Sequence, residues 1–184
     1  DSAMAVAAAF VDFKKAFDSV PHDILLKRLN CDFGVTGSLL DLICNYRSGR
    51  QQFTVLNDVK SDLLPVSMGI PQGGFRTDIV RIIQNDLPSS VPSGSVYMYA
   101  DDTTIYCVGE TADLAIDQLN KALQEFYNLR LNNRLTPHLI KSEVILFSKR
   151  TPMGSIAPLY LGSSVLSLVT KTKLLGPIVD QKFI

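Results

Sequence analysis

The chain has 184 residues, of which 46% are hydrophobic and 20% charged, so it contains enough apolar residues for one or two globular domains. Its slightly positive mean hydropathy argues against a disordered tail or linker. No segment approaches the roughly 18 consecutive apolar residues that indicate a membrane span. The three cysteines, Cys31, Cys44 and Cys107, are widely spaced and odd in number, which argues against a disulfide scaffold or a zinc site.

The formal net charge is zero, with 18 basic and 18 acidic residues, and this balance disfavours a strongly basic nucleic-acid binder. The charges are unevenly distributed, however. Residues 1–120 carry nine Lys and Arg against fifteen Asp and Glu, whereas residues 121–184 carry nine against three. Such asymmetry is typical of a cation-binding end beside a polyanion-binding end, but unevenly solvated faces explain it equally well.

Hydrophobic periodicity predicts an N-terminal strand followed by two helices. The apolar run Ala5 to Val11 fits a buried strand, although an Ala-rich run fits a helix as well. Ser19 and Pro21 are helix-start signals before an apolar face that ends at Gly34. A second helix is predicted from Thr36 to about Arg47, with these residues inward: Leu39, Leu40, Leu42, Ile43 and Tyr46.

Turn signals divide the remainder of the chain into hairpins and one further capped helix. Gln52 to Leu56 and Leu63 to Ser67 flank Asn57-Asp58 and predict paired strands. A Gly/Pro-rich elbow at Gly69 to Gly74 precedes a predicted helix that reaches Asp86. Later predicted elements are a tight hairpin of Ser95–Tyr99 and Thr103–Val108 around Asp101-Asp102, a helix capped by Thr111, and strands within Glu143–Ser148, Pro158–Leu168 and Lys173–Val179.

The order of these elements predicts the fold class. With Thr36 to Ser67 treated as an insertion, the order is strand, helix, strand, strand, helix, strand, which is the ferredoxin-like α+β pattern. We therefore expect an antiparallel sheet with helices on one face. The other face would be free to hold a long substrate.

The acidic pair Asp101-Asp102 is a candidate site because two adjacent carboxylates repel unless a cation lies between them. Mg²⁺ prefers hard oxygen ligands and needs only two or three protein carboxylates when substrate phosphates complete its shell. Aspartate is also a common turn and cap residue, so the pair alone proves nothing. Asp12, however, ends a strand that neighbours the central hairpin in a ferredoxin-like sheet, and three acids would then meet at one sheet edge.

Five segments together resemble the reverse transcriptases of non-LTR (LINE-like) retrotransposons. They are FVDFKKAFDSVPH at 10–22, GIPQGG at 69–74, YADD at 99–102, LNNRLTPHLIKSEVILF at 131–147 and LLGPIVD at 174–180. Each is weak evidence alone, but their order and spacing are specific, and they cover nearly the whole chain. Group II intron and telomerase relatives share the acidic hairpin, and the AFDSVPH wording favours the LINE-like branch.

The resemblance implies an RNA-directed DNA polymerase that transfers nucleotides from deoxynucleoside triphosphates to the 3′-hydroxyl of a DNA primer on an RNA template. It implies two Mg²⁺ ions, with Mn²⁺ as a possible substitute. The catalytic acids are then Asp12, Asp101 and Asp102. The carbonyl of Phe13 joins these acids in the implied metal-binding set.

Further roles follow from the resemblance for seven other residues. Phe17 matches the steric gate beneath the nucleotide sugar, Gln72 and Gly73 match the elbow against the incoming nucleotide and template, and Lys141 matches a lysine near the pyrophosphate. Arg50, Leu175 and Gly176 match nucleic-acid contacts. From the residues alone, Phe17 also fits a buried apolar position, the elbow a simple turn and Lys141 a solvated surface residue.

The implied organisation is one incomplete reverse-transcriptase core, truncated at both ends. Residues 1–19 and 75–170 correspond to the palm, residues 20–74 to a fingers-side insertion and residues 171–184 to the start of the primer-grip segment. An intracellular location, nuclear or cytoplasmic, is also implied. The charged stretch 75–78 and the lack of Trp near Tyr127–Arg134 depart from the family and leave a second hypothesis: a catalytically dead remnant that acts at most as a nucleic-acid-binding or structural domain. A third hypothesis, another Mg²⁺-dependent phosphoryl-transfer enzyme, does not explain the elbow or Phe17.

Overall fold

The computed structural model describes residues 4–14, 18–69, 82, 84–149 and 156–182. Two compact units make up the chain, one of residues 1–14 with 84–184 and one of residues 15–83. The elements described, in chain order, are β1 (Ala5–Val11), α1 (His22–Cys31), α2 (Gly37–Arg47), β2 (Gln51–Gln52), β3 (Val55–Leu56), β4 (Val59–Lys60), β5 (Leu64–Pro65), α3 (Leu87–Ser90), β6 (Ser95–Tyr99), β7 (Asp102–Gly109), α4 (Ala112–Asn132), β8 (Glu143–Phe147), β9 (Tyr160–Leu161), β10 (Ser164–Val165), β11 (Ser167–Leu168), β12 (Lys171–Lys173) and β13 (Ile178–Asp180). Among the described residues, no helix is long and apolar enough to cross a membrane.

A five-stranded sheet in the order β11-β8-β1-β7-β6 forms the centre of the first unit. The pairs β8–β1, β1–β7 and β7–β6 are antiparallel, and only the pairing of β11 with β8 is parallel. This is the order expected for a ferredoxin-like sheet, so the predicted α+β fold is confirmed. The Ala-rich run is a strand rather than a helix because it is paired on both sides, with Ala9 opposite Ile105 and Val144.

Helix α4 covers one face of this sheet and packs against β1 and β7. Five of its apolar residues recur at helical spacing on the side facing the sheet and are buried: Ala115, Leu119, Ala122, Leu123 and Phe126. The predicted cap is present, since Thr111 Oγ1 accepts a hydrogen bond of 3.3 Å from the Leu114 amide. The small alanines of β1 leave room for the helix to pack closely on the sheet.

The opposite face of the sheet is open along β6 and β7. Tyr97 is 66% exposed on this face, and its ring stacks on that of Tyr106 with centroids 5.8 Å apart. In register, Thr104 lies between Tyr97 on one side and Phe10 on the other. Side chains alternate along a strand, so Asp102, Thr104 and Tyr106 share this face while Thr103 and Ile105 face the helix side.

The 15–83 unit contains α1, α2 and a hairpin built from β2 to β5. The predicted pairing is confirmed for β2 with β5, whereas β3 pairs with β4, which lies outside the predicted second strand. The turn residues Asn57 and Asp58 both have positive φ. The inward orientation expected for α2 is wrong at two positions, because Leu39 and Leu42 are 55% and 64% exposed. These leucines are at helical spacing, but no described element covers them.

Gly69 connects two of the sequence motifs within this second unit. Its φ is +87°, and a Cβ at this position would lie 2.9 Å from the carbonyl oxygen of Asp18. The Gly69 amide donates to the Val20 carbonyl at 2.9 Å, and the His22 ring nitrogen Nε2 lies 2.8 Å from the Gly69 carbonyl oxygen. The start of the elbow therefore packs directly on the end of the AFDSVPH segment. Most of the helix predicted up to Asp86 lies outside the described residues.

Candidate active site

Two acids that are far apart in sequence meet at one edge of the sheet. The antiparallel register pairs Val11 with Thr103. Asp12, which follows Val11, therefore comes next to Asp102, which precedes Thr103. Both line a pocket on the sheet surface. Residues from three parts of the first unit complete its lining: Phe10, Val11, Thr103, Thr104, Lys141, Thr172, Lys173 and Leu174.

The main chain of Asp12 is held by the loop that follows α4. His138 donates its amide to the Asp12 carbonyl at 2.7 Å, and the Asp12 amide donates to Ser142 Oγ at 3.4 Å. The Lys14 amide donates to the Thr136 carbonyl at 3.0 Å, which extends the pairing beyond β1. The LNNRLTPHLIKSE segment thus has a structural role that the motif alone did not reveal, since it fixes the strand end that carries Asp12.

The same loop brings Lys141 to the pocket. The loop turns tightly, because the amides of Lys141 and Ser142 both donate to the His138 carbonyl at 3.0 Å. Lys141 Nζ lies 3.8 Å from Asp12 Oδ2, and its side chain remains 66% exposed. The lysine can therefore move toward a bound anion without leaving a buried charge behind.

The acidic hairpin differs from the prediction in its turn. Tyr99 pairs with Asp102, so the two turn residues are Ala100 and Asp101, and Asp102 already belongs to β7. Ala100 has a φ of +54°, in the left-handed region. This conformation is unfavourable by about 1–2 kcal/mol for a residue that has a Cβ. This turn points Asp102 into the pocket with the other open-face residues of β7, while Asp101 lies at the tip and does not line it.

The electrostatics of Asp102 indicate an accumulation of negative charge. Burial raises the pKa of the Asp102 carboxyl above its ordinary value of 3.8, and the carboxylates of Asp101 and Asp12 raise it further. The three predicted acids are thus close enough to interact. Within the described ranges, no group of three or more His, Cys, Asp or Glu side chains forms a metal-binding arrangement. Two of the predicted ligands, Asp12 and Asp102, share the pocket.

A hairpin formed by β12 and β13, here called the pocket hairpin (Lys171–Asp180), supplies one wall. Its turn residues Leu175 and Gly176 have φ values of +51° and +109°. Leu174 and Lys173 line the pocket, whereas Leu175 and Gly176, the residues predicted to contact nucleic acid, are exposed at the turn beyond it. Sequence reasoning missed Lys173, although its place beside LLGPIVD was a signal.

Phe13 connects the pocket to the core. Its ring is buried and lies 6.0 Å from the ring of Phe126, and the guanidinium of the buried Arg130 lies 5.9 Å from Phe13 and 5.5 Å from Phe126. The role predicted for Phe13 concerns its main-chain carbonyl. In an extended chain, the main-chain groups of successive residues point to opposite sides of the strand. The main chains of Asp12 and Lys14 bond to residues 136–138 on one side. The Phe13 carbonyl is therefore directed to the other side, where β7 lies.

Of the remaining predicted residues, Arg50 is described and is not among the residues that line the pocket. Arg50 lies in the second compact unit, where its carbonyl accepts a hydrogen bond of 2.9 Å from the Val66 amide at the base of the β2–β5 hairpin. Phe17, Gln72 and Gly73 lie outside the described residues, as does the charged stretch 75–78. Their predicted roles stay predictions.

Comparison with known proteins agrees with this geometry. Residues 2–176 match the family model of the reverse transcriptase (RNA-dependent DNA polymerase). The chain belongs to the reverse transcriptase family. It is 25% identical over 182 residues to the RNA-directed DNA polymerase from the mobile element jockey of Drosophila melanogaster; the match covers 95% of this chain and 19% of that protein. The predicted resemblance to non-LTR elements is thereby confirmed.

A solved structure shows the same reverse-transcriptase fold at low sequence identity. An apo telomerase from Candida tropicalis superposes with a TM-score of 0.60 and 13% identity, over 96% of this chain and 34% of the telomerase. In this reverse-transcriptase domain, the acids that the motifs singled out lie directly after β1 and on the β6–β7 hairpin. The chain spans only 19% of the jockey protein.

Proposed function

We propose that this chain is the nucleotidyl-transfer region of an RNA-directed DNA polymerase from a non-LTR retrotransposon. One observation carries the proposal: Asp12 and Asp102, from separate motifs, line one pocket at the edge of an open sheet face. We assign residues 1–19 and 75–170 to the palm, 20–74 to a fingers-side insertion and 171–184 to the start of the primer grip. An RNA template and a DNA primer would lie along the open face, and a deoxynucleoside triphosphate would enter the pocket.

The donor set of the pocket fits a divalent cation. Two carboxylates face the same small space, and the pKa of Asp102 is raised by burial and by its acidic neighbours, which indicates negative charge that a cation would neutralise. Carboxylate oxygens are the ligands that Mg²⁺ prefers, and phosphates commonly complete its shell. Asp12 and Asp102 would hold the metal, with Asp101 and the Phe13 carbonyl as further proposed ligands. A bound pair of Mg²⁺ ions, or Mn²⁺ in their place, would supply a more acidic primer hydroxyl and neutralise charge on the pyrophosphate.

The protein's own residues would position and neutralise the reacting groups. Lys141, at the end of a tight turn, would place its ammonium near the departing pyrophosphate and donate a proton or a positive charge there. Lys173, in the wall formed by the pocket hairpin, would contact a phosphate of the substrate or primer. The preorganised charge of Lys141 would act where negative charge develops in the transition state.

Six assignments rest on the family alone and form part of the proposal. Phe17 would exclude a ribose 2′-hydroxyl, and Gln72 with Gly73 would contact the incoming nucleotide and template. Arg50 would contact the nucleic-acid backbone, and Leu175 with Gly176 would contact the primer end. The nuclear or cytoplasmic location expected from the resemblance is likewise proposed.

Primer extension tests the function directly. The 184-residue chain is given an RNA template, an annealed DNA primer, deoxynucleoside triphosphates and Mg²⁺, and extension is compared with Asp12→Asn, Asp101→Asn and Asp102→Asn. Loss of one preorganised charge should lower kcat by at least about 10²-fold. Asp117→Asn, an exposed change on α4, is the matched control and should extend like the unaltered chain.

Equal extension by the unaltered chain and Asp102→Asn would show that the signal comes from elsewhere and would refute the assignment. A chain that binds primer–template with a steep dependence on salt but never extends it would support the remnant hypothesis instead.

A further inference from the structure

The pocket hairpin carries two of the pocket-lining residues, yet it has little structure of its own. Its two strands of three residues form only three pairs, Lys171 with Asp180, Thr172 with Val179 and Lys173 with Ile178. Isolated two-stranded hairpins are at best marginally stable in water. The place of Lys173 and Leu174 at the pocket therefore depends on what attaches the hairpin to the sheet.

Main-chain bonds hold only the base of the pocket hairpin. The Val169 amide donates to the Val144 carbonyl at 2.8 Å, which continues the parallel pairing of β11 with β8. The Gln181 amide donates to the Thr170 carbonyl at 2.9 Å and closes the hairpin at its ends. Neither of these two bonds restrains the segment from Lys171 toward the turn, so they alone would let it swing about this base.

A side-chain bond attaches the hairpin next to the pocket itself. Thr172 Oγ1 donates to Glu143 Oε2 at 2.6 Å, between partly buried groups. Thr172 lines the pocket and precedes Lys173, while Glu143 pairs in register with Phe10, which forms the pocket floor. This single bond therefore connects the hairpin wall to the sheet floor. A hydrogen bond to a carboxylate is shorter and stronger than one between neutral groups.

We propose that Glu143 and Thr172 are positioning residues that hold the pocket hairpin against the sheet, and so keep Lys173 in the wall of the pocket that Asp12 and Asp102 also line. The inference rests on the proposed function for its catalytic consequence, but the attachment itself is a property of the fold. Without the bond the hairpin swings about its base. Lys173 then leaves the pocket wall, and the substrate meets a wider pocket with one cation fewer.

Hydrogen exchange and kinetics test this in parallel. Thr172→Val removes the hydroxyl with little change in volume, Glu143→Ala removes the acceptor, and Thr172→Ser retains the hydroxyl. We expect amide exchange within 171–180 to rise about tenfold in Thr172→Val and Glu143→Ala, the factor for one charge-assisted hydrogen bond. Thr172→Ser should exchange like the unaltered chain. Thr170→Val, an equivalent change at an exposed position at the base of the same hairpin, is the matched control and should also leave exchange unchanged.

The kinetic readout separates positioning from general destabilisation. Thr172→Val should raise the KM for primer–template about tenfold while kcat falls less than about threefold, because Lys173 binds substrate and transition state alike. The double variant should be no worse than either single variant, since both remove the same bond. Unchanged exchange in Thr172→Val, or additive effects in the double variant, would overturn the proposal. If the unaltered chain fails to extend primers, the proposed function falls, whereas the exchange result still decides the attachment.

Discussion

Replacing Phe126 with Leu tests whether the aromatic contacts beneath Asp12 stabilise the fold. The Phe126 ring is fully buried, 6.0 Å from Phe13 and 5.5 Å from the guanidinium of Arg130. An aromatic pair contributes about 0.5–1.5 kcal/mol beyond its buried area, and a desolvated cation–π contact about 2 kcal/mol. Leucine retains most of the apolar volume but neither contact, so Phe126→Leu should lower the free energy of unfolding by about 3 kcal/mol. Small domains have about 5–15 kcal/mol in total, so this loss is large.

Urea unfolding measures the effect through the midpoint at an unchanged m value. Phe33→Leu is the matched control: Phe33 is 43% exposed in the second unit, and its replacement should change the unfolding free energy by less than about 0.5 kcal/mol. In the Phe126→Leu background, Phe13→Leu should cost less than it does alone, because the ring pair is already lost. If Phe126→Leu were as mild as Phe33→Leu, the ring contacts would not be stabilising and the reasoning would be wrong.

Three further predictions concern packing, pH and the pocket lysine. Gly109→Ala should destabilise the first unit by about 1–3 kcal/mol in urea unfolding, since a Cβ there would lie 2.6 Å from the main-chain nitrogen of Ala115, which cannot yield. Asp102→Asn should raise the thermal midpoint near neutral pH in metal-free buffer and lose this advantage in acid. The folded-state pKa of Asp102 is raised above 3.8, so its ionisation penalises folding increasingly as pH rises through the window above 3.8, and no penalty exists below it. Lys141→Gln should change stability by less than about 1 kcal/mol, because its 3.8 Å ion pair with Asp12 is largely exposed, yet lower kcat for primer extension about 10²-fold or more.

Each of these has an outcome that would contradict it. If Gly109→Ala left the free energy of unfolding unchanged, the connection between β7 and α4 would be less tightly packed than the structure shows. The same stabilisation by Asp102→Asn at acid and neutral pH would show that charge repulsion is not its cause. A large stability loss in Lys141→Gln with normal kcat would give the lysine a structural role.

The amino-acid sequence by itself determined the local elements and the family. Thr111 before an apolar helical repeat, Asn57-Asp58 between two apolar runs and the acidic hairpin all act through residues within a few positions of one another. The elements they specify are therefore present, although the turn of the acidic hairpin is Ala100-Asp101. The order of the motifs was enough to place the chain among reverse transcriptases. The charge asymmetry also had meaning: the pocket acids come from the negative part of the chain and Lys141 and Lys173 from the positive part.

Only the tertiary structure decided which residues meet. The alanine run became a strand because partners on both sides satisfied its main-chain groups, and no local signal distinguishes this from a helix. Lys173 lines the same pocket as Asp12 because Glu143 binds Thr172 of its hairpin, a contact between distant segments that spacing cannot encode. Side-chain periodicity shows which face of an element is apolar, but what covers that face depends on packing between segments remote in sequence, as the exposed Leu39 and Leu42 show.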